Sequence, residues 1–553
     1  MVHSHGAFTN MIRRHIHVTA WHAIDVPTSR EDSSVDECEV IAFGKYDDDD
    51  DDCGSGGDND RDGSGVGRSR SVALRIAFTP FFYAAIPASW SDARATALMH
   101  DLGKFGLVTD RTHTGIVWKT SIWGYCDRPS RFLQLAFASQ GGMKRAAYAV
   151  RRVGLKTFES NVDPIVKLLH SRSLPGVGWI EVASDVVIVI DDDDDERIST
   201  CDLEMRAAAP TAVGPWTSPP PGTRPPVTIA SWDLECFSAS RRFPNAKTDT
   251  DCIINIATAF STLGFPDEIR RVVLCLGETL IDDADADIEI RSFASEASMI
   301  EAWVDLLHEA RVDLLIGYNV DGFDWKYVFD RVDVVLRDGC GDALVDLSGL
   351  GRLKIGGGVR QDRKLDSKAY GNNEFVVAAT PGIAQMDLLS YIRRERKLES
   401  YSLDNVSATY LDGDRKIDLP AHRIFDLFEH GGSAGRAEIA RYASKDTVLP
   451  IRLLERMRIF TDVAELSNAC SLPIDAILNR GQQIRVFSCV LNTARAMQVV
   501  VPDDEAMIAP EGKTYEGATV LDPVCGAHTQ PVCTLDFASR ECLPARCTCA
   551  PTR

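Results

Sequence analysis

No stretch of this 553-residue chain is apolar for the ~20 residues needed to cross a bilayer, and Met1-Val2-His3-Ser4-His5 does not open a basic-then-apolar leader. Among its 15 cysteines no two are spaced as C-x2-C. A zinc site and a disulfide framework are therefore both unsupported, and Cys542, Cys547 and Cys549 stand too close together to change that. Together these absences point to a soluble, reduced, intracellular protein with no membrane partner. Positive charge is also short, with 60 Lys and Arg against 81 Asp and Glu, a net charge of -21. That deficit is partly local: Asp47–Asp52 and Asp191–Glu196 supply twelve acids, and without them the balance is -9. A basic groove elsewhere is not excluded. Both acidic runs read as solvated, disordered loops, and His3, His5, His15 and His17 as part of a flexible tail.

A hydrophobic content of 44% over this length is enough for several cored domains. Residues 1–70 have little periodicity and carry the first acidic run and a Gly/Ser/Asp/Arg stretch, so they read as an unstructured extension. Residues 71–206 alternate strand-like and helical segments: Ala73–Phe78, Phe81–Pro87, Phe132–Phe137 and Gly178–Val182 as strands, with a basic helix over Gly142–Val153. The Asp191–Glu196 run is an insertion in this domain. The proline-rich stretch 207–226 reads as a linker.

Beyond it, Val227–Phe237, Cys252–Phe260 and Arg271–Leu276 read as strands. A helix follows, with Ser298 and Glu301 as its capping box, and then a buried strand, Val312–Gly317. The first of these strands contains Ser231-Trp232-Asp233-Leu234-Glu235-Cys236. Side chains two apart on a strand share a face, so Asp233 and Glu235 point the same way. They are either an acidic pair at a fraying strand end or, since two desolvated carboxylates repel, a site for a divalent cation. Asp324 opens a further helix after Gly317-Tyr318-Asn319-Val320-Asp321-Gly322-Phe323. Tyr442 and Asp446, four apart in a helical pattern over 434–457, share one helical face. Singly, Asp324 reads as a helix N-terminal acid, and Tyr442 and Asp446 as surface residues. Together, four carboxylates can hold two divalent ions for phosphodiester hydrolysis, and oxygen ligands favour Mg2+ or Mn2+.

The SWDLE, GYNVDGFD and YASKD segments resemble, in order, the three exonuclease motifs of family B DNA polymerases of the delta-like and large-DNA-virus type. FESNVDP and GVGWIEV resemble the amino-terminal domain of those proteins. The stretch from Met386 to Leu411, with Lys416-Ile417-Asp418-Leu419 after it, resembles the passage between the second and third motifs. Ile474–Val486 resembles the entry to the palm, and Tyr515-Glu516-Gly517-Ala518 the element that partitions DNA between two active sites. The likeness covers about residues 72–539. It implies a mixed α/β protein: an amino-terminal domain, a ribonuclease-H-like 3'-5' exonuclease domain over 227–465, and the start of a palm over 466–539. It also implies Asp233, Glu235, Asp324 and Asp446 as ligands for two Mg2+ or Mn2+ ions, Tyr442 as the residue orienting the nucleophilic water, and Asn319, Tyr515 and Gly517 as DNA-contacting positions. The segment from Val359 to Pro381 is either a basic exposed loop or the hairpin that the family often carries near DNA.

Val532–Ser539 resembles the start of polymerase motif A, which makes Asp536 a vestigial ligand for a polymerase metal. The likeness stops there. Residues 540–553 form an unrelated cysteine-rich tail, and the later polymerase elements are absent. The expectation is an exonuclease-bearing polymerase fragment that does not itself copy DNA. It acts on primer-template DNA and single-stranded 3' ends in a nucleus or viral replication site, with a sliding clamp or accessory subunits as partners of the intact relative. The alternative is a catalytically inactive DNA-binding remnant of a decayed or wrongly assembled polymerase gene.

Overall fold

The computed structural model describes residues 13–27, 36–46, 70–109, 112–122, 126, 128–183, 187–192, 194–219, 227–280, 287–337, 344–367 and 371–503, with five positions between 521 and 529. The chain divides into two compact units, one of residues 1–26, 37–78 and 164–481, the other of residues 27–36, 79–163 and 482–553.

A six-stranded sheet in the first unit carries the carboxylates. Its strands are β1 (Thr228–Cys236), β2 (Ile253–Thr262), β3 (Arg270–Leu276), β4 (Ile288–Phe293), β5 (Leu314–Gly317) and β6 (Ala384–Asp387), in the order β4-β3-β2-β1-β5-β6. The three leading strands pair antiparallel, while β4, β5 and β6 join in parallel. Three antiparallel strands followed by parallel additions is the ribonuclease-H-like order. Helix α1 (Glu296–Glu309) and helix α2 (Asp324–Val334) bury their apolar stripes on one face of the sheet. Trp232 of β1 lies between Trp303 and Trp325, each ring centroid 4.6 Å away. The Trp303 indole N–H donates to Thr258 at 3.1 Å, so this large ring is buried without an orphaned donor. Helix α3 (Leu388–Glu395) follows β6 directly. On the opposite face lies the long helix α4 (Gly432–Arg456), which lays Ala440 and Ala443 against Ala257, Val273 and Cys275. Small side chains bring this helix close to the strands.

A second sheet of the same unit has seven strands, in the order Val213–Pro215, Gly178–Ala183, Arg13–Val26, Glu37–Tyr46, Arg70–Ala77, Leu203–Ala207 and Val187–Ile190. Two of these strands correct the reading of 1–70 as an unstructured extension. Glu37–Tyr46 escapes a periodicity search because it is buried on both faces and carries charge there. Its Glu39 is neutralised by Arg75, with Nε donating to Oε2 at 2.6 Å, a pairing invisible in sequence. His15 and His17 lie in the Arg13–Val26 strand rather than in a loose tail. His15 stacks on Trp216 at 3.8 Å, and burial lowers His17 to about 4. The stretch 207–226 is likewise structured at its start, where Val213–Pro215 pairs with Gly178–Ala183; 220–226 lie outside the described residues. The described residues of the second acidic run form a hydrogen-bonded turn rather than a disordered loop: Asp194 donates its N–H to the Asp191 carbonyl at 3.2 Å, and Glu196 N–H reaches the Asp194 carboxylate at 2.8 Å. The first run lies outside the described residues.

In the second unit a five-stranded sheet orders Val499–Val500, Gly115–Ser121, Ser130–Ala136, Phe81–Ala85 and Thr157–Phe158. Phe82, Leu133 and Leu135 of this sheet pack with Met143 and Ala147 of the helix Gln140–Arg152. Buried Asp503 closes the unit by accepting from the Thr157 hydroxyl at 2.5 Å and the Ser160 N–H at 2.8 Å.

The segment 359–381 forms a β-hairpin, with Arg360–Ser367 antiparallel to Gly371–Ala378. In shape the described residues take the hairpin; its place near DNA is what the resemblance implies. The start of α1 is also corrected. Its cap is Ser295, whose hydroxyl accepts the Ser298 N–H at 3.2 Å, so Ser298 lies inside the helix. Two serines three apart offer alternative starts. The earlier one brings Glu296 into the helix, where it pairs with buried Arg331.

Candidate metal-binding site

On β1 the alternation of side chains separates two functions. Trp232 and Leu234 enter the apolar core shared with α1 and α2, which turns Asp233 and Glu235 to the face beneath α4. The β1–β2 register slips between Glu235 and Cys236. The slip falls where the acidic pair ends, and such irregularities are common in strands beside sites.

From α4, Asp446 reaches into the same place. Carboxylate oxygens of Asp233, Glu235 and Asp446 all lie within 4.8 Å of one another, so residues 213 positions apart along the chain form one cluster. Asp324, at the first turn of α2, is 3% exposed and stands at the rear. Its Oδ1 accepts the N–H of Leu234 at 3.2 Å, between the two acids of β1. It thus supports the strand directly and is not one of the three closest acids. Tyr442 sits one turn before Asp446 on α4.

Among the described residues Lys416 is the cation in contact with this concentration of charge. The ammonium of Lys416 lies 2.5 Å from Oδ2 of Asp446 and 5.3 Å from the centre of the Tyr442 ring. In the sequence Lys416 stands only within the segment that resembles the passage between the second and third motifs, with no mark of a part in the site. It lies in a loop without periodicity, and only the tertiary fold puts it on Asp446.

Burial and mutual repulsion raise the acids. Asp233 is pushed up to about 7 by burial and then by the Asp446 charge, with Lys416 opposing. Burial, Asp233 and Asp446 drive Glu235 well above the carboxylate range. Asp324 rises through burial and Asp233, and Asp446 through burial, against the pull of Lys416. Burial works to discharge Lys416, but Asp446 and Tyr442 reverse this and hold its proton on. Lys416, with Lys445 acting on Asp446 from further off, is too little positive charge for four acids, of which Asp324 and Asp446 are buried and Asp233 and Glu235 half-buried. Hard, closely spaced oxygen donors that resist ionising together are a donor set suited to a divalent cation.

Beside the cluster is a cavity of about 540 Å3 whose walls include Asp233, Asp446, Asn319, Arg393 and Tyr401. Asn319 adopts φ 70°, a left-handed conformation that asparagine tolerates, in the turn between β5 and α2. Gly322 lets that turn close, since a Cβ there would stand 2.5 Å from Asn319 Oδ1. The structure therefore gathers Asp233, Glu235, Asp324, Asn319, Tyr442 and Asp446 into one region. Tyr515, Gly517 and Asp536 lie outside the described residues.

Comparison with known proteins gives a consistent picture. The family model described as DNA polymerase family B, exonuclease domain, matches residues 155–406, and that described as DNA polymerase family B matches residues 472–540. Asp446 and Tyr442 fall between the two matches and are tied to the site by geometry. A DNA polymerase of Paramecium bursaria Chlorella virus NY2A is 40% identical over 476 residues, covering 85% of this chain and 49% of the relative. The DNA polymerase delta catalytic subunit of Schizosaccharomyces pombe is 28% identical, over 84% of this chain and 42% of that one. The chain thus spans about half the length, or less, of these curated relatives. Among solved structures, the family B DNA polymerase of the hyperthermophilic archaeon Pyrobaculum calidifontis shares the fold, with a TM-score of 0.57 at 20% identity, covering 91% of this chain and 52% of that chain.

Proposed function

Since the chain belongs to the family B DNA polymerases, we propose that its exonuclease domain hydrolyses DNA from the 3' end, removing mispaired terminal nucleotides during replication. The observation that carries this reading is the convergence of Asp233, Glu235 and Asp446 within 4.8 Å, backed by Asp324. Exonuclease domains of this family are metal-dependent, and these four carboxylates would hold two Mg2+ or Mn2+ ions. Bound there, the ions supply the positive charge that activates water and stabilises both the entering and the leaving oxygen.

The chain's own residues supply the rest. Tyr442, on the helical face of Asp446, orients a water for in-line attack on the last phosphodiester. A new P–O bond forms to that water while the bond to the 3' oxygen of the preceding nucleotide breaks. The departing oxygen takes up a proton, and a nucleoside 5'-monophosphate is released. Lys416 offsets the charge of Asp446 beside the reacting phosphate, and Asn319 forms part of the wall against which the terminal nucleotide rests. The relatives are a viral polymerase and delta catalytic subunits, which supports action in a viral replication site or a nucleus. Among the described residues no helix is long and apolar enough to cross a membrane.

The test is a 5'-labelled single-stranded oligonucleotide incubated with the purified chain. A Mg2+-dependent ladder shortening from the 3' end, abolished by EDTA and by Asp446→Ala, is expected. Intact oligonucleotide with wild-type protein and saturating Mg2+ or Mn2+ would overturn the proposal.

A further inference from the structure

The cavity beside the carboxylates has two walls that are distant in sequence, and one side chain outside the metal cluster fastens both. Asp387, the last residue of β6, is buried. Its Oδ1 accepts the N–H of Asn319 at 2.9 Å and the N–H of Leu389 at 2.9 Å, and its Oδ2 accepts the N–H of Asp321 at 3.2 Å. The parallel pairing of Gly317 with Asp387 puts the carboxylate at the exit of β5, where the Asn319 turn begins. The Leu389 bond makes Asp387 the N-cap of α3, the helix that carries Arg393. Asn319, Leu389 and Arg393 all line the cavity, whereas Asp387 does not.

A buried carboxylate is an expensive way to cap an eight-residue helix, for which serine or asparagine would serve. Two of these bonds go to the turn, where Asn319 is held at φ 70°. We propose that Asp387 is a positioning residue for substrate: it sets the distance between the Asn319 turn and the start of α3, and hence the width of the slot that receives the terminal nucleotide. This inference rests on the exonuclease reading. Several backbone N–H bonds to one buried carboxyl group hold backbone rather than a mobile side chain, so the slot is formed before DNA arrives.

Steady-state exonuclease kinetics on a single-stranded oligonucleotide test the proposal, using wild type, Asp387→Asn and Asp387→Ser. The asparagine keeps the volume but turns an amide N–H2 toward one of the donors. The serine keeps a cap for Leu389 N–H and releases the turn. Both variants are expected to raise KM about tenfold with kcat within about twofold of wild type, the scale for losing one or two buried hydrogen bonds. Asn319→Ala should raise KM as well, and adding it to Asp387→Ser should raise KM by less than the product of the single effects, because both act through the same turn. An unchanged KM in the soluble, folded Asp387→Ser variant overturns the proposal. So does an effect confined to Tm and to the active fraction, which is all that a purely structural cap would produce. A wild-type chain that leaves the oligonucleotide intact instead removes the exonuclease reading on which the proposal stands.

Discussion

Asp233 shows what the site costs the metal-free protein. In the unfolded chain its carboxyl ionises near the ordinary 3.8, and in the folded cluster only at about 7. The folded state therefore binds the proton more tightly, and the stability this confers is present below about pH 4 and lost as the pH rises through 7. Glu235, Asp324 and Asp446 are shifted in the same direction. In EDTA the melting temperature should thus fall between pH 5 and pH 8, and Asp233→Asn should flatten that fall. Saturating Mg2+ should also reverse it by neutralising the cluster. Calorimetric scans at the two pH values, with and without Mg2+, check both expectations. Lys416 yields a companion prediction. Replacing it with methionine leaves Asp446 without its ammonium; with Lys416 30% exposed, the metal-free loss is about 1–3 kcal/mol, discounted for solvent screening. Urea unfolding should show that loss in EDTA and recover most of it in Mg2+.

Elements rather than single residues decide whether the acids meet. The end of β5 must pass close to β1, and Gly317 allows it: a Cβ there would lie 2.2 Å from Val320 Cγ1 and 3.0 Å from the Trp232 carbonyl oxygen. Gly317→Ala should cost about 1–3 kcal/mol, measured by chemical denaturation, through overpacking at a site that cannot yield. It should also lower exonuclease activity by displacing the Asn319 turn. Much of this arrangement was legible in the sequence. The period-2 alternation of Trp232-Asp233-Leu234-Glu235 and the four-residue spacing of Tyr442 and Asp446 each survive as geometry. Contacts that depend on topology were not legible. Lys416 reaches Asp446 from a loop, and Asp387 spans β5 and α3 only because β6 is parallel to β5. The Ser298 cap went astray for a similar reason, since the pairing of Glu296 with Arg331 starts α1 one turn earlier.

At the scale of the whole molecule, the first unit joins its two sheets through buried charge. Asp313, at the entrance to β5, accepts from Arg352 at 2.6 Å and from the Thr228 N–H at 2.8 Å, with Lys45 of the seven-stranded sheet 3.5 Å away. Removing one member of such a set strands the others, so Asp313→Ala should cost about 3–5 kcal/mol in an unfolding titration. The strands over 13–26 and 37–46 went unread for the same reason. Lys45 and Glu39 look like surface residues until partners from other strands and loops arrive, Asp313 for Lys45 and Arg75 for Glu39. The assembled site is proposed to remove mispaired 3' nucleotides. The most direct test is the rate at which the purified chain removes a 3'-mismatched nucleotide from a primer-template in Mg2+, compared with the variant carrying Asp233→Ala and Glu235→Ala. The expected result is removal of the mismatch by wild type and a fall of at least about 1,000-fold in the variant, the scale of losing several kcal/mol of metal-borne stabilisation. Equal rates in the two proteins would contradict it.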